Sequence, residues 1–349
     1  MSLTAADLAL RKLGMSATDV VTIATAGEGG YGSPLEVFLS KVSDAPGFQG
    51  NMRTEMGHAA EPIILRQVEK VYGLKNVVPG RTIRSGLVEY FLATPDAIVL
   101  DAPGGEPIAT EEAKLVGRRM CHRWYGEDGE VLFPDECLIQ VTWQMLVMRT
   151  TREYARSRVA HGYLGALLGD FGEDAFHPTV FPWAGAVEDL SYGLQEAASR
   201  FWLDHVVAGV PPTPDGSERA REALEKMYPA IRRAVLAPAT PEVSALMADL
   251  VETRDAKSAL ELKQKALANQ LRAAVGAAGV EGMRDDAHKV TWKPQAGRVS
   301  AEKLAARLGA SPADLDACRG EPSRTLLVNP LSAKEKSYVA TVRALNAAQ

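Results

Sequence analysis

Between about Met52 and Val71, apolar residues recur at helical spacing. Met56, Ala60, Ile63, Ile64 and Val71 fall to one side and Gly73 follows as a stop, which predicts a helix. From Thr82 to Val116 the pattern becomes extended. Residues 88–93, 97–100 and 108–115 read as strands, separated by the turn clusters Thr94-Pro95-Asp96 and Ala102-Pro103-Gly104-Gly105. A strand meander is expected there. An apolar-rich helix follows at about 136–148, then a partly extended segment at 154–168, then helix again at about 187–207 with Phe201 and Trp202. Ahead of these, a short helical pattern leads into Gly27-Glu28-Gly29-Gly30-Tyr31-Gly32-Ser33-Pro34, which lacks the lysine of a P-loop and reads as a turn, with phosphate cradling the lesser alternative.

Pro211-Pro212-Thr213-Pro214-Asp215-Gly216 is the clearest linker signal and divides the chain into expected regions 1–210 and 211–349. Beyond it the composition shifts to Ala, Glu, Lys and Leu. Leu246, Leu250, Leu260, Leu267 and Leu271 fall near a heptad stripe that Lys257 and Gln264 interrupt, the pattern of a long helix packing within its own chain or, as the lesser alternative, of a subunit contact. Short strands are expected at 290–293 and 325–328. The second region is thus mainly helical, with a role in oligomerisation or DNA contact.

Composition narrows the function classes. With 46% hydrophobic and 24% charged residues the chain is of soluble, globular type. It has no run of about 18 apolar residues, so a cytoplasmic location is the default. Cys121, Cys137 and Cys318 are too few and too irregular for a disulfide scaffold or a four-cysteine cluster. The six histidines form no zinc pair. A net charge of −5 excludes a generally basic, nucleic-acid-coating surface, so any DNA site must be a local channel. Arg118, Arg119 and Arg123, and Arg149, Arg152, Arg156 and Arg158, are local clusters that suit either a DNA contact or a solvated face. Trp124 and Tyr125, beside three of these arginines, are better explained by packing than by base stacking.

The chemistry concentrates around residue 100. Asp96 sits in a turn between two strands, while Glu112 and Lys114 alternate on the next strand and so project from one face. Ala113 points its side chain the other way and leaves its carbonyl available. Converging carboxylates of this kind suit hard Mg2+, which takes oxygen ligands and can activate water for phosphodiester cleavage. Lys114 could orient that water and offset charge on the phosphate. Glu61, four residues after Gly57, stands where its helix could lean over the sheet and bring a third carboxylate.

Pro95-Asp96 … Glu112-Ala113-Lys114 resembles the motif of the PD-(D/E)xK nucleases, and the residue order around it resembles the YqaJ-type viral recombinases and lambda-phage exonuclease family. The likeness starts at Arg11-x6-Thr18-Asp19-Val20 and runs through Ser33-Pro34-Leu35-Glu36-Val37-Phe38, Lys41, Asn51-Met52 and Gly57-x3-Glu61-Pro62. It continues into Gln140-Val141-Thr142-Trp143-Gln144 and fades by about residue 218. The resemblance implies an α/β restriction-endonuclease-like core, a central mixed β-sheet flanked by helices. It further implies metal ligation by Asp96, Glu112, the Ala113 carbonyl and Glu61, with Lys114 activating water. Gln140 would bond the nucleophile or a phosphate oxygen, and Arg11 with Thr18 would bind the DNA backbone at a 5′-phosphate. Thr18 replaces the family's usual Ser, and Cys137 stands where Tyr is common.

The implied activity is Mg2+-dependent 5′ to 3′ exonuclease digestion of duplex DNA ends, Mn2+ substituting, to leave single-stranded tails for phage-type recombination. A single-strand annealing protein would be the partner, and a homo-oligomeric ring of three or four copies would enclose the duplex. The alternatives are a RecB-like or structure-specific nuclease in a repair complex and a noncatalytic DNA-binding scaffold.

Overall fold

The computed structural model describes residues 5–25, 32–43, 50–126, 128–152, 158–169, 172–228, 239–295 and 323–330. Most of the glycine-rich loop, Tyr154, Arg156 and Cys318 lie outside these. The chain divides into two compact units, Met1–Ile231 and Arg232–Gln349.

The first unit opens with helices α1 (Ala5–Lys12), α2 (Ala17–Ala24), α3 (Pro34–Val42) and α4 (Met52–Tyr72). Each of the last three starts at a side-chain cap: Ser16 in a capping box with Asp19, Ser33 ahead of Pro34, and Asn51. These caps satisfy amides that the first helical turn leaves without partners. Gly73, at φ 64°, ends α4 in the left-handed conformation. Strands β1 (Val77–Pro79), β2 (Ile83–Arg84), β3 (Leu92–Ala93), β4 (Ala97–Leu100) and β5 (Pro107–Gly117) follow, then α5 (Asp135–Thr150), β6 (His161–Gly169), β7 (Phe176–Pro182), α6 (Ala186–Phe201) and α7 (Glu218–Met227).

Five strands form a mixed sheet in the order β1-β4-β5-β6-β7, in which only β5 and β6 run parallel. Helix α5 makes the connection between those two parallel strands, as such a crossover requires. The two faces of the sheet are covered by different helices. Ile64 and Val68 of α4 lie over Gly165, whereas Val141 and Met145 of α5 lie over Gly162. The expected mixed sheet flanked by helices is therefore present. α5 is the most buried helix, its side chains enclosed from Ile139 through Met148. Its Trp143 is fully buried and donates a 2.9 Å hydrogen bond from Nε1 to the Leu92 carbonyl. Removing such a ring costs about 3–5 kcal/mol.

Three expectations change. On α4 the buried residues are Ile64, Leu65 and Val68, while Met56, Ile63 and Val71 are exposed, because the sheet meets only a narrow stripe of the helix. Of residues 88–93 only Leu92 and Ala93 form a strand, since Ser85 Oγ draws the amides of Leu87 and Val88 into a turn. The first unit also runs past the Pro211–Gly216 signal, because α7 packs on α3 and buries Ala220 and Ala223 there.

The second unit contains the 37-residue helix α8 (Pro241–Ala277) and an antiparallel sheet of β8 (Gly282–Arg284), β9 (His288–Gln295) and β10 (Ser323–Pro330), with β9 central. Among the described residues of α8 only Val275 is buried.

Candidate active site

The site is built where β1, the turn before β4 and the middle of β5 meet. Gly80 makes that meeting possible: its amide donates to the Asp96 carbonyl at 3.0 Å, and a Cβ at Gly80 would stand 1.6 Å from the Pro95 oxygen. The Asp96 amide donates to the Glu111 carbonyl at 3.1 Å, and Asp96 Oδ2 accepts from the Ala113 amide at 2.8 Å. The turn carboxylate is thereby fixed to the strand that presents Glu112 and Lys114.

Those two residues face α5. Lys114 Nζ lies 2.7 Å from Glu112 Oε1 and donates to Gln140 Oε1 at 2.8 Å. Gln140 Nε2 donates to the same Glu112 oxygen at 2.6 Å, and Gln144 Nε2 donates to Glu112 Oε2 at 2.7 Å. Gln140 thus bridges the acid and the base rather than standing apart from them. Residues 140 and 144 are one helical turn apart, so α5 can place both amides against one carboxylate.

All the candidate residues line one cavity of about 660 Å3: Asp96, Glu112, Ala113, Lys114, Glu61, Gln140, Arg11 and Thr18. Arg11 reaches it from the end of α1, with Nη2 donating to Ser16 Oγ at 3.0 Å and Thr18 Oγ1 at 3.4 Å. Beneath it, burial raises the Asp19 pKa, but Lys41, bonded at 2.7 Å, and Arg11 outweigh burial and hold it below the ordinary carboxylate value. Sequence reasoning missed Gln144 as a partner of Glu112 and Arg81 and His58 as further cavity residues. The repeat of Gln at 140 and 144 in an otherwise apolar helix was the available signal.

Burial, with the negative charges of Glu112 and more weakly Glu61, pushes the Asp96 carboxyl well above its usual range, against the Ala113 hydrogen bond and the charge of Lys114. Among the described residues no three His, Cys, Asp or Glu side chains form a closed cation cage. The donor set nonetheless suits a hard divalent ion: carboxylate and carbonyl oxygens at Asp96, Glu112 and Ala113, in a place where negative charge is crowded. Neighbouring Glu111 points to the other face of the sheet. It is fully buried, neither of its oxygens has a hydrogen-bond partner among the described residues, and burial with nearby Glu69 lifts its pKa to about 8. Cys137, pushed up to about 12 by burial, is an inert thiol.

Several arginines have structural partners. Arg123 pairs with Glu136, Arg149 donates to the Val159 carbonyl at 2.6 Å and lies over Trp183, and Arg152 donates to the Gly86 carbonyl at 3.1 Å. Trp124 is buried edge-on against Phe133, as packing requires.

Residues 8–153, which include every one of these site residues, match the model of the YqaJ-like viral recombinase domain. Over that stretch the chain is similar to the YqaJ-like recombinases. The uncharacterized protein YqaJ of Bacillus subtilis (strain 168) is 24% identical over 298 residues, 84% of this chain and 85% of that protein. Among solved structures, an alkaline exonuclease (LHK-Exo) from Laribacter hongkongensis is similar at 16% identity and a TM-score of 0.44, covering 64% of this chain and 100% of that one. A phage related exonuclease from Haemophilus somnus 129PT is similar at 12% identity and a TM-score of 0.37, covering 56% and 96%. The matched residues thus span the helices and strands that assemble the cavity.

Proposed function

We propose that the protein is a divalent-metal-dependent deoxyribonuclease that digests duplex DNA from its ends, 5′ to 3′, and leaves single-stranded tails for recombination. The observation that carries this reading is the single cavity that collects Asp96, Glu112, Lys114, Glu61 and Gln140 together with Arg11 and Thr18. The match of these residues to the YqaJ-like viral recombinase domain supports it.

Asp96, Glu112 and the Ala113 carbonyl would hold Mg2+, with Glu61 contributing from α4, and the same oxygen donors accept Mn2+. When bound, such an ion polarises the phosphoryl oxygen and lowers the pKa of attacking water. The chain's own residues do the rest. Gln140 ties the Lys114 ammonium to Glu112, so the lysine is already oriented to exchange a proton with water and to offset charge on the phosphate. Arg11 offers a planar fork of donors and Thr18 a hydroxyl, beside the amide-rich start of α2, a combination suited to a terminal 5′-phosphate. A chain of net charge −5 has little general hold on DNA, so enclosure by a homo-oligomeric ring of three or four copies would keep it on the duplex. A single-strand annealing protein would take up the tails, in the cytoplasm.

Linear duplex labelled at either the 5′ or the 3′ end, beside a closed circular duplex, tests the reading with Mg2+ present. Early release of the 5′ label and an intact circle are expected. Cutting of the circle, or early loss of the 3′ label, would overturn it.

A further inference from the structure

Helix α8 presents a surface that the nuclease reading leaves unused. Its apolar residues Val243, Leu246, Leu250, Leu260, Leu267 and Leu271 keep a seven-residue repeat, with Thr253, Lys257 and Gln264 filling the remaining core positions of the stripe. Leu246 is 68% exposed and Leu260 is 66% exposed. A helix of 37 residues is about 55 Å long, and one with a wet leucine stripe over most of that length needs a partner to be stable in water.

We propose that α8 pairs with α8 of a second copy of this chain as an antiparallel two-stranded coiled coil. Complementarity within the helix itself selects that occupant and that direction. A two-fold axis at the middle of α8, between Lys257 and Leu260, sets Leu250 against Leu267 of the second copy and Leu246 against its Leu271. The same axis sets Thr253 opposite Gln264, so the polar positions meet each other, and Lys257 opposite Leu260. A parallel pair in register would instead stack the two Lys257 ammonium groups in one layer, at a cost in stability. On the flank of the antiparallel pair Arg254 faces Glu261 of the second copy, twice by symmetry. Lys257 Nζ, 3.9 Å from Glu261 in its own chain, joins the same charge group. The pairing does not depend on the nuclease activity and uses none of the cavity residues.

Disulfide trapping in the full-length chain tests both partner and direction. Leu246→Cys and Leu271→Cys are prepared separately, then oxidised alone and as a mixture, with the unaltered chain and its own cysteines as background. The mixture should form a linked dimer above background, and neither variant should do so alone. In the same chain Arg254→Glu should weaken self-association about tenfold, and Arg254→Glu with Glu261→Arg should restore it. Linking of Leu246→Cys with itself would show a parallel pair. No linking in the mixture would show that something other than a second copy covers α8. Either result overturns the proposal.

Discussion

Gln144 Nε2 donates a 2.7 Å hydrogen bond to Glu112 Oε2 from the fully buried interior of α5. With Gln140 and Lys114 on the other oxygen, this bond leaves Glu112 a single orientation. Groups that orient a metal-binding carboxylate commonly contribute 10–100-fold to metal affinity. Gln144→Ala should therefore raise the Mg2+ concentration needed for half-maximal cleavage by about 10–100-fold, while duplex binding without metal stays near native. An unchanged Mg2+ requirement in a folded variant would confine Gln144 to packing.

Lys114 is assigned proton exchange and charge compensation, so its loss should appear in kcat more than in KM. Lys114→Ala should lower kcat on the order of 10²–10⁴-fold. Its thermal stability should stay close to native, because the side chain is partly solvated at the cavity wall. Unfolding of this variant, followed by circular dichroism, would mean that the Lys114–Glu112 pair is structural.

Arg11 gives the account its polarity. Arg11→Ala should lower the rate on 5′-phosphorylated ends by about tenfold, the cost of a charge-assisted contact, and change the rate on 5′-hydroxyl ends little. Equal digestion of both ends by the native protein would remove that role.

Glu111 predicts a pH dependence of stability. Below its ordinary pKa of 4.5 both folded and unfolded chains are protonated at this site, and it costs nothing. Above 4.5 the unfolded chain releases the proton, whereas the folded chain keeps it until about pH 8. The unfolded state is then favoured and stability falls across that window. At pH 7 the contribution is on the order of 3 kcal/mol. Glu111→Gln should flatten the decline between pH 5 and 8 in denaturant titrations with chelator present. A slope identical to native would contradict it.

Much of this arrangement was legible in the sequence because it is local. Alternation on a strand puts Glu112 and Lys114 on one face wherever that strand lies, and Gly73 ends α4 by its own backbone freedom. What the sequence left hidden depends on tertiary partners. The stripe of Ile64, Leu65 and Val68 is buried because the sheet happens to meet α4 there, and periodicity alone equally suits Met56 and Val71. Gln144 repeats Gln140 at helical spacing, but its bond to Glu112 shows only once α5 is laid against β5. The exposed stripe of α8 was visible as a heptad, but whether it faced its own chain depended on what packs against it.

The most direct test compares native protein with Asp96→Asn on linear 5′-phosphorylated duplex in Mg2+, measuring acid-soluble nucleotide released and, separately, duplex bound. The native protein should release nucleotide and stop when the ion is chelated. Asp96→Asn should bind the duplex and release nucleotide on the order of 10³-fold more slowly. Release by Asp96→Asn at the native rate would contradict the assignment of this cavity as the place where DNA is cut.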